Sequence, residues 1–218
     1  MALLEARSVT RDYAARTGMV RALPPVSLCV DPGEMLVIRG PSGAGKTTLL
    51  HLLSGLDRPS AGEVLFRGRS LSTMSAVEIA HLRNRFFGFI FQQPHLLPDR
   101  TVLENVVLPC HYGPDPRAAN IAGRALRLLE AVGLAPLATR YPATLSGGEM
   151  QRLAFARALM MEPEVIFADE PTGSLDGENS SRLLDMLASE TEQGRAVVLV
   201  THDPQVMGRG TSFCSLVK

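Results

Sequence analysis

Net charge is missing from this sequence, because 22 Lys and Arg residues balance 22 Asp and Glu over 218 positions. A balanced chain offers no broad basic surface, so nucleic acid is not an expected partner. Long apolar runs are missing too. No stretch approaches the ~18 apolar residues of a membrane span, and the longest candidates, such as residues 196–200, are strand-sized. Cysteine is sparse: Cys29, Cys110 and Cys214 are widely spaced and odd in number. That pattern suits free thiols in a reducing cytosol and argues against a disulfide or metal framework. The first residues include Glu5, Arg7, Arg11 and Asp12, which do not read as a signal peptide. The expectation is a cytoplasmic protein with no membrane span of its own. No internal repeat or low-complexity tract is visible. Lysine is the scarcest cation, since Lys46 and Lys218 stand alone and arginine fills every other basic position.

What is present begins with apolar content: 45% of the chain is hydrophobic, enough for one large domain or one domain with an inserted subdomain. The isolated Lys46 marks the organising stretch, Gly40-Pro41-Ser42-Gly43-Ala44-Gly45-Lys46-Thr47-Thr48. It fits G-x-x-x-x-G-K-[ST]. Met35-Leu36-Val37-Ile38 before it reads as a buried strand, and Leu49-Leu50-His51-Leu52-Leu53 after it reads as a helix. Strand, glycine loop and helix together form an anion nest, in which backbone N–H groups turn inward at the positive end of a helix. Lys46 would reach the β- and γ-phosphates of a nucleotide, and the Thr47 hydroxyl can ligate Mg²⁺.

Along the chain, residues 2–13 read as a strand ending at Tyr13, residues 26–30 as a strand, and Asp31-Pro32-Gly33 as a turn. By spacing, Tyr13 is an ordinary core or edge aromatic. A turn over residues 58–62, a strand over 63–66 and a turn at Arg67-Gly68 follow. Ser75 with Glu78 and Thr101 with Glu104 are capping boxes, each opening a helix, the second closed by Pro109. Residues 87–91 form a buried strand ending at Gln92-Gln93-Pro94. Residues 112–116 read as a loop, Pro116 suits the first turn of the next helix, and Ile121, Ala125, Leu128, Leu129 and Val132 recur at helical spacing up to Gly133. Residues 1–93 and 162–218 therefore form an α/β core, and residues from about 94 to 161 a helical subdomain.

Ser146, Gly147 and Gly148 open another helix, reaching about residue 161. Bare N–H groups beside a hydroxyl make a second potential anion site, although an ordinary N-cap explains them as well. Residues 165–168 are apolar and run into Asp169 and Glu170, which emerge at the carboxyl end of a strand, the edge where open α/β sheets bind ligands. Two adjacent carboxylates repel unless a cation or polarised water lies between them. A last buried strand, 196–200, leads to Thr201-His202 at the same edge. A lone histidine is usually structural; this one shares the carboxylates' edge.

In this order the motifs resemble the nucleotide-binding domain of an ABC transporter over the whole chain. Residues 40–48 match Walker A and Leu145-Ser146-Gly147-Gly148-Glu149 the signature. Residues 165–169 match Walker B, with Glu170 next. Gln92 matches the Q-loop, Ser174-Leu175-Asp176 the D-loop, and His202 the switch histidine. Tyr13 falls at the adenine-stacking position, against its bland reading. Residues 51–57, 89–92, 96–98, 103–106 and 170–176 further resemble the lipoprotein-releasing, macrolide-exporter and cell-division ATPase group. The chain ends just after residues 212–217, unlike the longer members of that group.

The resemblance implies an α/β P-loop fold with a parallel central sheet, an N-terminal antiparallel β element and an inserted helical subdomain. It implies MgATP hydrolysis coupled to an integral-membrane permease. Gly40, Pro41, Ser42, Gly43, Ala44, Gly45, Lys46, Thr47 and Thr48 would hold the phosphates. Thr47 and Gln92 would ligate Mg²⁺, with Asp169 holding it through water. Glu170 would polarise the attacking water and His202 hold it in line. Ser146, Gly147, Gly148 and Asp176 would complete the site, the signature coming from a second subunit in a head-to-tail homodimer formed on ATP binding. Apart from the resemblance, apolar Leu96 and Leu97 on a loop beside Gln92 fit poorly with a solvated surface: either they pack the helical subdomain against the core or, with the helix over 101–108, Val102 included, they line a groove for a short cytoplasmic helix of the permease. One rival class, soluble ABC ATPases of DNA repair or translation, usually has coiled-coil insertions or tandem cassettes, and neither is here. The other, a cell-division type regulator that signals across the membrane without transport, has the same cassette.

Overall fold

Two sheets divide the strands between them in the computed structural model, which describes residues 2–15, 18–113, 120–202, 206 and 208–217. The antiparallel sheet holds β1 (Leu4–Ala15), β2 (Gly18–Val30), β4 (Ala61–Phe66) and β5 (Arg69–Ser70), in the order β2-β1-β4-β5. The parallel sheet holds β3 (Met35–Arg39), β6 (Phe87–Phe91), β7 (Val165–Asp169), β8 (Ala196–Val200) and β9 (Ser212–Ser215), in the order β6-β7-β8-β3-β9. Six α-helices accompany them among the described residues: α1 (Lys46–Leu53), α2 (Ala76–Phe86), α3 (Val102–Val107), α4 (Ile121–Ala131), α5 (Gly147–Leu159) and α6 (Gly177–Glu192).

The parallel strands read as unbroken apolar runs because both faces are covered. Leu36, Ile38, Val165, Phe167, Val198 and Val200 face a core shared with α1 and the antiparallel sheet. Their alternating neighbours Val37, Ile90, Ile166, Ala168, Val197 and Leu199 face a second core shared with α3, α4, α5 and α6. Every strand of this sheet runs the same way, so the carboxyl ends of β3, β6, β7 and β8 share one edge.

Several elements differ from expectation. The strand over 26–30 extends back to Gly18 and pairs with β1 as a long hairpin, Tyr13 lying opposite Val20. Pro24 and Pro25 hide it in the sequence; they are tolerated because β2 is a sheet edge. The helix opened by Thr101 ends at Val107, just before Pro109, and the chain goes on as a separate 3₁₀ turn over Leu108–His111 with proline in its first turn, where a missing N–H costs nothing. Pro116 lies outside the described residues. Both capping boxes form, at Ser75–Glu78 and Thr101–Glu104. Val102, expected on an exposed groove, is fully buried. The N–H groups of Val102 and Leu103 donate to Arg140 O (2.8 Å) and Ala138 O (2.9 Å), which folds the start of α3 inward.

Candidate nucleotide-binding site

The loop between β3 and α1 is built by backbone geometry that side chains resist. Gly43 and Gly45 have φ of 76° and 89°. A Cβ on Gly45 would stand 2.4 Å from Ala22 O, because β2 runs directly against the loop. Gly45→Ala should therefore displace either the loop or the hairpin. The left-handed conformation alone costs roughly 1–2 kcal/mol, so we expect a lowered melting temperature and a nucleotide titration showing at least ~10-fold weaker binding; unchanged affinity would show that the two can separate freely.

Lys46 Nζ folds back over the loop and donates to Gly40 O (2.9 Å) and Pro41 O (3.1 Å). Thr47 Oγ1 donates to Asp169 Oδ1 at 3.2 Å, joining the start of α1 to the end of β7. Burial pushes the Asp169 carboxyl up, against the Thr47 hydrogen bond, and the neighbouring Glu170 charge pushes the same way. A carboxylate so placed favours a cation beside it. Among the described residues no group of three or more His, Cys, Asp or Glu is placed to hold a metal ion. The donors at hand are instead hard oxygens: a hydroxyl, a carboxylate and the Gln92 amide. They fit a small hard cation such as Mg²⁺, which keeps several of its waters.

Glu170 sits past the end of β7 with φ of 46°, rare for a residue with a side chain. Its N–H donates to Val200 O (2.8 Å), which fixes that backbone beside the end of β8. The carboxylate lies 2.9 Å from His202 Nδ1. A carboxylate only accepts, so Nδ1 carries the proton of that bond and Nε2 is left for another partner.

A cavity of 820 Å³ collects Gly40, Pro41, Ser42, Gly43, Gly45, Lys46, Thr47 and Thr48 with Gln92, Glu170 and His202. Four elements far apart in sequence thus meet at one sheet edge. The wall opposite the loop is Val20, Arg21 and Ala22 of β2, which sequence reasoning missed. No local pattern marks them, since only their pairing with β1 makes this segment a strand. Tyr13 is not among the lining residues. Its ring, 40% exposed, has Arg11 4.5 Å from its centroid, and its hydroxyl donates to Asp57 Oδ2 (2.8 Å). Ala44 is buried beneath the loop.

Ser146, Gly147, Gly148 and Asp176 also lie outside this cavity. Ser146 forms a capping box with Glu149: its Oγ accepts the Glu149 N–H (3.3 Å), and Glu149 Oε2 accepts the Ser146 N–H (2.7 Å). Asp176 caps α6, accepting the Asn179 N–H at 2.8 Å. A Cβ on Gly147 would meet nothing within 4 Å, so this helix start faces open space.

A nucleoside triphosphate cradle joined to paired carboxylates and a histidine, on a parallel sheet beside an antiparallel one, defines a P-loop ATPase. The ABC transporter family profile matches residues 23–173, and the chain belongs to that family: it is an ATP-binding cassette that binds and hydrolyses ATP. Among solved structures it resembles the ATP-binding cassette MJ0796 in two dimeric forms. One is a post-hydrolysis state bound to ADP and Pi, with a TM-score of 0.88 and 36% identity over 98% of this chain and 94% of that one. The other, described as a bacterial ABC transporter cassette, has a TM-score of 0.90 at the same identity and coverage. The cbiO1 protein of Clostridium perfringens, part of the ABC transporter complex cbiONQ, gives 0.85 at 27% identity over 99% of this chain and 84% of its own.

Proposed function

We propose that this chain is the ATPase subunit of a membrane complex, in which MgATP closes a head-to-tail homodimer and an integral-membrane permease receives the motion. One observation carries the dimer. The phosphate cradle opens outward and the signature helix starts at exposed Ser146 and Gly147, yet Ser146 and Gly148 lie outside the cavity of their own chain. To reach a γ-phosphate they need a second copy facing the first, and both forms of MJ0796 named above are dimers. In such a site the loop amides and Lys46 hold the phosphates, and Tyr13 stacks on adenine. Tyr13 and Val20 are cross-strand partners and so share a hairpin face. Thr47, Gln92 and Asp169 hold the cation, which when bound offsets charge on the phosphate oxygens. Glu170 draws a proton from the attacking water and His202 orients it. Phosphoryl transfer asks mainly for such positioning and charge.

Coupling belongs to a second cavity. A groove of 670 Å³ is lined chiefly by apolar side chains, among them Val77, Ala80, Phe89, Phe91 and Leu108. Phe91 immediately precedes Gln92, so an occupant would sit one residue from the nucleotide site. This groove lies over α2 and β6, whereas Leu97 and Val102 are not part of its lining. We assign it to a short amphipathic helix of the permease, placing the chain at the cytoplasmic face of the inner membrane; no described helix is long and apolar enough to cross one. Within the family we favour the lipoprotein-releasing branch, on the stretches at residues 51–57, 89–92, 96–98, 103–106 and 170–176.

Val77 is 65% exposed, so Val77→Asp should leave folding and ATP binding intact. We expect the tagged variant to retain at most about a tenth of the integral-membrane protein that co-purifies with the wild type, as loss of an interface anchor does. Identical recovery would move the docking site elsewhere. A wild-type chain that brings down no membrane protein from its native membranes would end the reading.

A further inference from the structure

Helix α5 opens with the signature residues and then buries Gln151, of which 1% is exposed. Leu153, Phe155 and Leu159 on the same helix supply the apolar packing there. An amide among them is unfavourable unless its polar atoms are met. Gln151 Nε2 donates to two carbonyls at once, Phe91 O at 2.8 Å and Pro171 O at 2.8 Å. They belong to different strand ends. Phe91 is the residue before Gln92, and Pro171 is the residue after Glu170. The β6–β7 ladder ends with Phe91 opposite Asp169; past that pair the Gln151 amide bridges the two segments, and farther on Ser174 Oγ donates to Gln92 O at 3.5 Å. Further along α5, Arg157 donates to His95 O (2.8 Å) and Pro94 O (2.5 Å). The helix thus grips the chain on both sides of Gln92.

We infer that Gln151 is a positioning residue for hydrolysis: its amide holds Gln92 and Glu170 at one separation and makes both follow the signature helix of their own chain. This rests on the roles given above to Gln92 and Glu170. The P-loop grips nucleotide without Gln151, so affinity and turnover should part company when the amide is lost. A shift of the end of α5 that carries Ser146 would be felt at both residues through this one side chain.

The test compares Gln151→Met, similar in size but without the donor, with Gln151→Asn, which keeps the amide but is one methylene shorter. In the full-length chain, Gln151→Met should lower kcat about ten- to a hundredfold, the scale of a misplaced reacting group. KM for ATP and the Kd of a fluorescent ATP analogue should stay within about twofold, because the loop contacts are untouched. Gln151→Asn should fall between Met and wild type, and it decides the matter if Gln151→Met does not fold. A folded variant with wild-type kcat overturns the inference, and so does a parallel loss of kcat and affinity, which would mark a merely structural amide. Glu170→Gln is assayed alongside. If that variant still turns over, the reading of the site fails and this inference with it; if it is inactive while Gln151→Met runs at wild-type rate, only the positioning role is lost.

Discussion

Glu170→Gln should lower ATP turnover by about a hundredfold to ten-thousandfold, the range over which a positioned proton acceptor contributes, while ATP still binds. The substitution preserves size, so the positive φ of residue 170 and its N–H bond to Val200 O should persist. A neutral amide can still accept from His202 Nδ1, but it cannot take a proton from water. The binding apparatus, loop amides and Lys46, lies on other elements and is untouched. In the proposed dimer, closure of two copies needs the γ-phosphate and reopening needs its loss, so the variant should accumulate as an ATP-bound dimer. Size-exclusion chromatography with and without ATP reads this directly. A variant that stays monomeric in ATP, or that hydrolyses it near the wild-type rate, removes Glu170 from the role.

Lys46→Ala should weaken nucleotide binding at least ~10-fold and reduce turnover further, since the proposed role of the residue is to supply the charge facing the β- and γ-phosphates. Its ammonium spends two donors on Gly40 O and Pro41 O, leaving the third N–H and the full charge for the ligand. Lys46→Arg should not restore function, because a planar fork cannot replace a compact point charge inside a closed loop. The chain's own usage agrees: arginine occupies every other basic position except Lys218. Nucleotide titration and steady-state turnover measured on both variants separate binding from chemistry. Unchanged affinity in Lys46→Ala would mean that the loop amides suffice for binding and that Lys46 acts only in the transition state.

Legibility followed the range of the physical signal. The strands over 87–91, 165–169 and 196–200 were readable to the residue, because unbroken apolar runs ending in polar residues mark buried parallel strands. Both capping boxes were readable because their partners stand three positions apart. The first half of β2 was not. It has no apolar alternation, it contains Pro24 and Pro25, and its pairing with β1 is what makes it a strand.

The sequence by itself determined the chemistry of the site: a glycine loop with one lysine and one hydroxyl, two carboxylates after an apolar run, and a histidine after another. Those features depend on neighbours along the chain, and short-range spacing encodes them. Tertiary structure decided which of them meet. Gln92, Glu170 and His202 share a cavity with the loop because β6, β7, β8 and β3 run parallel and end at one edge, whereas the signature helix begins on a surface outside that cavity. Tertiary structure also buried Val102, opened the groove over α2 and β6, and set the Gln151 amide between two strand ends. Such outcomes turn on which faces of separate elements cover one another, and no local pattern along a chain records that.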